Sequence, residues 1–292
     1  DNAFYSDFKW KKTNKDAWYG FIIIDNENIY NQYKNAVVHY PLNESGSHGT
    51  AASAPTEEIS GISTHISGPL YNVEGLAGYA LDFDGSNDYI KCGTPTGGNF
   101  GGAGTNDPTS TATTEMSVVT HFVPDSGGAD DRYVIAQEET GGRKFSIKLN
   151  SSNNITARVY RAEANHVELT SSSIIPTDGE IPTNVILTVD TTLTSGNVKL
   201  FINGKLEDIT GAALAIGTTN NWQKDATMQS ENGYIIIGNS SHSDETLDSS
   251  FDGKIEEIVI YDKCIYPVTP NTTEFMLQKP ISELATGQSL AQ

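Results

Sequence analysis

Apolar and polar residues alternate with a period of two along much of this 292-residue chain, which is the pattern of β-strands that bury one face. Residues 144–149 and 155–160 both show it, and the polar residues 150–154 between them predict a hairpin. Residues 197–208 predict a second hairpin, because Asn203-Gly204 suits the positive φ angles of a type I′ turn.

The same alternation predicts further strands over residues 36–42, 79–83, 88–92, 115–123, 132–137, 185–189, 233–238 and 253–262. Helical periodicity is confined to one short helix predicted over 273–278, with Asn271 or Thr272 as its N-cap. Many short antiparallel strands joined by glycine-rich turns predict an all-β fold, which is an antiparallel β-sandwich or jelly roll.

Two segments stand apart from this pattern. Residues 93–114 are almost wholly small and polar, which predicts a long surface loop. Residues 1–35 form an aromatic-rich N-terminal extension, which precedes a sandwich predicted over 36–285 and a tail over 286–292. Part of the extension is apolar on both faces and needs cover, either as an extra strand of its own sandwich or as a strand donated to a neighbour. The residues that would make this contact are Trp18, Tyr19, Phe21, Ile22, Ile23 and Ile24.

The charge balance narrows the choice of partners. The chain has 37 acidic and 18 basic residues and a formal net charge of −19 at pH 7, which disfavours nucleic acid and anionic membrane surfaces. No apolar run approaches the roughly 18 residues of a membrane span, so we expect no membrane insertion. The polar loops suit a secreted module, and a signal peptide is expected to lie outside this sequence.

The ordered motifs from about residue 36 onward resemble the laminin-G-like family, whose domains are concanavalin A-like jelly rolls. Family members carry tryptophans near Asn184 and on the strand that ends at Phe122, and both are absent here. The resemblance implies the jelly-roll fold. Because the two tryptophans are absent, we expect aliphatic residues to fill their places in the core. The matching motifs are the strand 37–42 with its loop 43–50, the hairpin 78–90, and the strands 116–122, 198–204, 234–238 and 251–261.

The resemblance also implies a Ca²⁺ site and a disulfide. Many laminin-G-like domains bind calcium, which prefers carboxylate and carbonyl oxygens. The family fold brings the first and last strands together, so Cys92 and Cys264 would form a disulfide; two separate buried thiols are the alternative. The residues expected to hold calcium are Asp84, Asp88, Asp252 and Glu256, unless the Asp-Gly pairs among them only form turns.

Catalytic patterns are missing from the sequence. Glucanases of this fold carry Glu-x-Asp-x-x-Glu along one strand, whereas Glu256 and Glu257 are adjacent and would face opposite sides of theirs. The six histidines show no metal-ligand spacing. We therefore expect a protein that is not an enzyme.

Sugar binding uses an exposed aromatic ring for stacking and nearby polar groups for hydrogen bonds. Trp222, in the polar loop 218–224, is the first candidate, and Tyr160 and His166 follow. Trp222 would otherwise anchor its loop to the core.

Five asparagines begin Asn-x-Ser/Thr sequences in or near predicted turns, a position compatible with glycosylation. They are Asn43, Asn150, Asn154, Asn239 and Asn271.

Together these features predict a non-catalytic extracellular module for recognition or adhesion at a cell or particle surface, with a surface glycan or protein as its partner. The alternative is a structural subunit of a filament, surface lattice or virion. Such a subunit would assemble with copies of itself through strand addition by residues 17–24.

Overall fold

A computed structural model describes residues 36–42, 64–75, 79–92, 115–125, 130–137, 145–162, 165–190, 198–207, 235–240, 249–261 and 263–266. Within these ranges the regular secondary structure is entirely β-strand, which confirms the predicted fold class. In chain order the strands are β1 (Ala36–Tyr40), β2 (Thr64–Ser67), β3 (Leu70–Glu74), β4 (Tyr79–Asp84), β5 (Tyr89–Cys92), β6 (Glu115–Pro124), β7 (Arg132–Gln137), β8 (Phe145–Leu149), β9 (Asn154–Ala162), β10 (Asn165–Ile174), β11 (Thr183–Asp190), β12 (Val198–Ile202), β13 (Lys205–Leu206), β14 (Ile235–Ile237) and β15 (Asp252–Tyr261).

The strands form two antiparallel sheets. Sheet A has the order β13-β12-β11-β6-β15-β4-β3, and β1 also pairs with β15. Sheet B has the order β10-β9-β8-β7-β14-β5-β2. The first half of β15 pairs with β4 and the second half with β1, so these two strands share one edge of β15. The predicted first and last strands therefore lie in one folding unit.

The hydrophobic core lies between the sheets and takes one face of each. In β8, Phe145, Ile147 and Leu149 belong to the core, whereas Ser146 and Lys148 alternate with them. Fully burying an apolar side chain of this size stabilises the fold by about 1.5–3 kcal/mol. The period-two alternation therefore sets which face of each strand turns inward.

Phenylalanines supply the aromatic part of this core. Phe83, Phe122 and Phe251 are each at most 1% exposed. The Phe251 ring meets the other two edge-to-face, at centroid distances of 5.6 Å from Phe122 and 6.4 Å from Phe83. Aliphatic residues of β11, among them Val185 and Leu187, complete this part of the core.

The predicted type I′ turn is present. Asn203 and Gly204 have φ angles of 49° and 79°, and they join β12 to β13. The Asn203 side chain also accepts a hydrogen bond from the Asn184 N–H at 2.8 Å, which fixes the turn against β11. The sequence signal was reliable because few residue pairs tolerate two successive positive φ angles.

Three strands were not predicted from the sequence. β2 and β3 precede the predicted strand at residue 79, and β10 follows β9 across a short connection. β10 ends in three successive serines and is interrupted by register shifts, so the alternation of its first half does not continue. The predicted helix at 273–278, the loop 93–114 and the extension 1–35 with its segment 17–24 lie outside the described residues.

Candidate functional site

The outer faces of the two sheets differ in character. The outer face of sheet A carries an apolar patch that includes Ile186, Phe201 and Val259. Residues 263–266 cross it, because the Ile265 N–H donates to Ser117 Oγ at 2.8 Å and Tyr266 packs edge-to-face on Phe201. On the outer face of sheet B, the paired strands β8, β9 and β10 carry mainly polar side chains, which suit a hydrophilic ligand.

An aromatic pair lies at one end of the sheet B face. Tyr160 of β9 and His166 of β10 are direct cross-strand partners. Their ring centroids are 5.2 Å apart with an interplanar angle of 43°. Tyr160 is only 4% exposed, whereas His166 is exposed. The buried tyrosine ring therefore packs against the imidazole, and the imidazole is the accessible ring of the pair.

An ion pair lies beside the rings on the same face. Arg158 and Glu168 are the next cross-strand pair, and Arg158 Nε donates to Glu168 Oε2 at 2.6 Å. Thr156 and Thr170 follow, with their hydroxyl oxygens 3.3 Å apart. Because alternate residues of a strand face the same side, these three cross-strand pairs form one surface, which we call the β9–β10 face.

A second charged group continues the polar face onto β7 and β8. Lys148 Nζ lies 2.5 Å from Asp131 Oδ2 and 5.1 Å from the centroid of the Tyr133 ring. Lys148 is 3% exposed and therefore stabilises the sheet more than it serves as a ligand group. The accessible part of this polar surface is the β9–β10 face.

Sequence reasoning found part of this face. Tyr160 and His166 were candidates, and the structure brings them into contact. Trp222 lies outside the described residues. Arg158 and Glu168 were missed because β10 was not predicted. The alternation of His166, Glu168 and Thr170 with Val167 and Leu169 was the signal that identifies this strand.

The four predicted calcium ligands are not assembled into one site. Among the residues that the structure covers, no three acidic, histidine or cysteine side chains are placed to hold a metal ion together. Asp84 and Asp252 are cross-strand partners, but Asp88 is buried and accepts a hydrogen bond from the Asp84 N–H at 2.8 Å. Glu256 lies further along β15, against Gly75. Calcium binding by this chain stays a prediction.

Asp88 serves the turn between β4 and β5. Burial raises its pKa to about 6, despite the hydrogen bond from Asp84, which lowers it. A Cβ added to Gly68, whose φ is +89°, would lie 1.6 Å from Asp88 Oδ1. The carboxyl group therefore packs against the backbone of the turn between β2 and β3 and plays a structural role.

Replacing Asp88 with asparagine is expected to stabilise the fold at pH 7 by about 1 kcal/mol, because the buried charge is removed and the acceptor for Asp84 is kept. Between the ordinary aspartate pKa of 3.8 and about 6 the folded wild type binds more protons than the unfolded chain. Wild-type stability therefore gains as pH falls through this window, and the difference between the two proteins narrows. Urea unfolding at pH 7 and pH 4.5 measures this, with the exposed Asp130→Asn as control; an unchanged difference contradicts the assignment.

The predicted disulfide is not formed, and both cysteines are thiols. Cys92 ends β5 in sheet B and faces the core. Cys264 follows β15 at sheet A, where its thiol donates to the Val189 carbonyl at 3.1 Å and its N–H to Glu115 at 2.9 Å. The two residues therefore belong to different sheets. Burial raises the pKa of the Cys264 thiol to about 11, so it is protonated at neutral pH.

The described sequons differ in accessibility. Asn239 is fully buried, and its amide donates to Ser250 Oγ at 2.8 Å, so this side chain has no room for a glycan in the folded state. Asn150 lies in the β8–β9 turn and Asn154 begins β9; both are half-buried, and their glycosylation stays a prediction. Asn43 and Asn271 lie outside the described residues.

Among the described residues, no helix is long and apolar enough to span a membrane. This finding concerns helices in that part of the chain alone.

Solved structures share this fold. Botulinum neurotoxin type C, whose cell entry depends on interaction with two ganglioside molecules, is 12% identical at a TM-score of 0.53, over 86% of this chain and 53% of that chain. The binding domain of botulinum neurotoxin DC, in complex with rat synaptotagmin II, is 11% identical at a TM-score of 0.51, over 84% of this chain and 52% of that one. This chain thus aligns with about half the length of these toxin chains. At this identity the likeness shows the fold alone.

No curated protein sequence matches the chain. The concanavalin A-like lectin/glucanases superfamily matches it over residues 84–267, which is more than half of its length. The matching member of this superfamily is of the laminin-G type, which agrees with the laminin-G-like motifs found in the sequence between residue 84 and the end of β15. The chain therefore belongs to the concanavalin A-like lectin/glucanase superfamily.

Proposed function

We propose that this chain is a non-catalytic glycan-binding module whose binding surface is the β9–β10 face. The observation that carries the proposal is the exposed His166 ring, which packs at a tilt against Tyr160 and lies beside the Arg158–Glu168 ion pair. Membership of a lectin and glucanase superfamily supports it.

The chemistry of the face suits a sugar. A pyranose ring has an apolar side that packs on an aromatic ring, and hydroxyls that bind planar polar groups. His166 offers the ring, and Glu168 and Arg158 offer an acceptor and donors beside it. Because the strands hold these groups in register, little ordering is required when a ligand binds.

The same geometry favours binding over catalysis. Glycoside hydrolysis uses two carboxyl groups on either side of the scissile bond. On the β9–β10 face the one carboxylate, Glu168, is held by Arg158 instead. Incubation with a bound oligosaccharide is expected to release no new reducing ends.

The proposal extends to location and partners. We infer an extracellular or cell-surface setting, in which the ligand is a surface glycan, free or carried by a protein. The fold shared with toxin domains that interact with gangliosides and synaptotagmin supports this choice.

An array of neutral and acidic oligosaccharides is expected to reveal bound sugars, which titration calorimetry then quantifies. Replacing His166 with alanine removes the exposed ring and is expected to weaken binding about 10-fold, as the loss of one stacking contact of about 1.4 kcal/mol would. Glu168→Gln, which keeps the shape but breaks the ion pair, is expected to weaken it similarly.

Lys205→Ala is the matched control, because Lys205 is exposed on β13 of the other sheet. A silent array in both calcium and chelator would refute the glycan-binding proposal. Bound sugars whose affinity is the same for wild type, His166→Ala and Glu168→Gln would place the site elsewhere.

A further inference from the structure

The two sheets end on the same side of the sandwich. Among the strands that the structure describes, β10 ends sheet B and β13 ends sheet A, and Glu207 after β13 contacts Ser172 and Ser173 of β10. An edge strand presents N–H and C=O groups that a strand from another molecule can pair with. Two exposed apolar side chains, Ile174 at 70% and Leu206 at 51%, lie on these edge strands. They would favour such pairing.

β10 leaves its ladder before it reaches Ile174. Thr170 pairs with Thr156 and Ile174 pairs with Asn154, so residues 171–173 of β10 lie opposite the single residue Ile155. Side chains take over the ladder contacts of this bulge. The Ile155 N–H donates to Ser171 Oγ at 3.0 Å, and Asn154 Nδ2 donates to the Ser173 carbonyl at 3.1 Å. The bulge is therefore held in place on its β9 side.

Glu207 fixes the bulge on its other side. This residue follows β13, is 4% exposed, and donates its own N–H to the Leu200 carbonyl at 3.0 Å. One of its carboxylate oxygens accepts from the Ser173 N–H at 3.1 Å and from Ser172 Oγ at 3.3 Å. The other accepts from Ser173 Oγ at 2.8 Å. Three donors thus satisfy a buried carboxylate, which otherwise would be strongly destabilising.

We propose that Glu207 and the serine bulge 171–173 close this edge of the sandwich against strand addition by a second copy of the chain. Both backbone groups of Ser173 are engaged by side chains, so an arriving strand finds no donor or acceptor at that position. β10 also carries His166 and Glu168. Closing the edge therefore keeps a second copy away from the β9–β10 face, although the inference stands without the proposed function.

In analytical ultracentrifugation the wild type is expected to be monomeric, whereas Glu207→Ala is expected to form concentration-dependent dimers or larger species. In the same variant, amide hydrogen exchange at Ser173 is expected to accelerate at least 10-fold under conditions where the protein is monomeric, because the N–H loses its partner. Glu207→Gln is the matched control. It removes the negative charge but keeps a carbonyl acceptor, so it is expected to stay monomeric.

Glu207→Asp provides a second variant if the alanine variant does not fold. It keeps the charge but shortens the side chain by one methylene, so its carboxylate no longer reaches Ser173; association is expected again. Adding Ser173→Pro, which deletes the N–H, to the associating variant is expected to restore the monomer. A folded Glu207→Ala or Glu207→Asp that stays monomeric overturns the proposal. So does equal association of the glutamine variant, or a wild type that already associates through β10.

Discussion

Replacing Phe251 with alanine is expected to lower the free energy of unfolding by about 4 kcal/mol, a typical loss when a large aromatic core residue is truncated. The side chain is fully buried and lies edge-to-face with Phe83 of β4 and Phe122 of β6. Its backbone is equally engaged, because Phe251 N–H donates to the Gly238 carbonyl of sheet B at 2.8 Å. Removing the ring leaves a cavity that this tied backbone cannot close.

Urea unfolding followed by circular dichroism measures the loss. Phe251→Leu is the control, since it keeps most of the apolar volume and is expected to destabilise by about 1.5 kcal/mol. The difference between the two variants isolates the cavity from the loss of aromatic contacts. A loss below about 1.5 kcal/mol for alanine would mean that the core repacks freely around this position.

The strands with a clean period-two alternation were predicted within one or two residues. β7 has the predicted bounds, β8 lies within the predicted range 144–149, and β15 begins and ends one residue earlier than predicted. In these strands one face is buried, so apolar and polar residues alternate, and this alternation predicts where the strand begins and ends. β10 was missed because its alternation covers only residues 166–170; residues 171–173 leave the ladder, are held by side chains and give no periodic signal.

The candidate site was less predictable because it depends on which strands pair. Tyr160 and His166 were chosen as separate aromatic residues, and only the β9–β10 register makes them partners. The same register joins Arg158 to Glu168. The disulfide prediction was wrong for a related reason. The resemblance correctly placed first and last strands together in sheet A, but Cys92 lies on a strand of sheet B.

The aromatic core shows how a departure from a family pattern is absorbed. The expected tryptophans near Asn184 and Phe122 are absent. Asn184 faces the outer side of sheet A, where its amide contacts His121 at 2.6 Å. The core beneath is filled by Val185, Leu187 and the phenylalanine cluster. Burial in the core requires volume and shape more than one residue type, which is why the fold prediction survived this difference.

Replacing Gly253 with alanine is expected to destabilise the fold by about 3 kcal/mol or more, because backbone strain and a steric clash add at one position. Gly253 lies in β15 and pairs with Phe83 on one side and Pro124 on the other, so the strand is fixed from both edges. Its φ is +130°, a region that residues with a Cβ rarely adopt. A Cβ here would lie 2.2 Å from the Val123 carbonyl oxygen and 2.8 Å from the Asp125 nitrogen.

Gly179→Ala is the matched control, because Gly179 also has a positive φ, of +71°. Its added Cβ would meet Asp125 Oδ1 at 2.3 Å, the end of an exposed side chain that can rotate away. At Gly179 only the cost of placing a residue with a Cβ at a positive φ remains, so the expected loss of stability is about 1 kcal/mol. The additional loss of stability in Gly253→Ala, compared with Gly179→Ala, measures how rigidly β15 is held against β6. If both variants lose the same stability in urea unfolding, the β6 backbone yields to the new Cβ and the rigid packing inferred here is wrong.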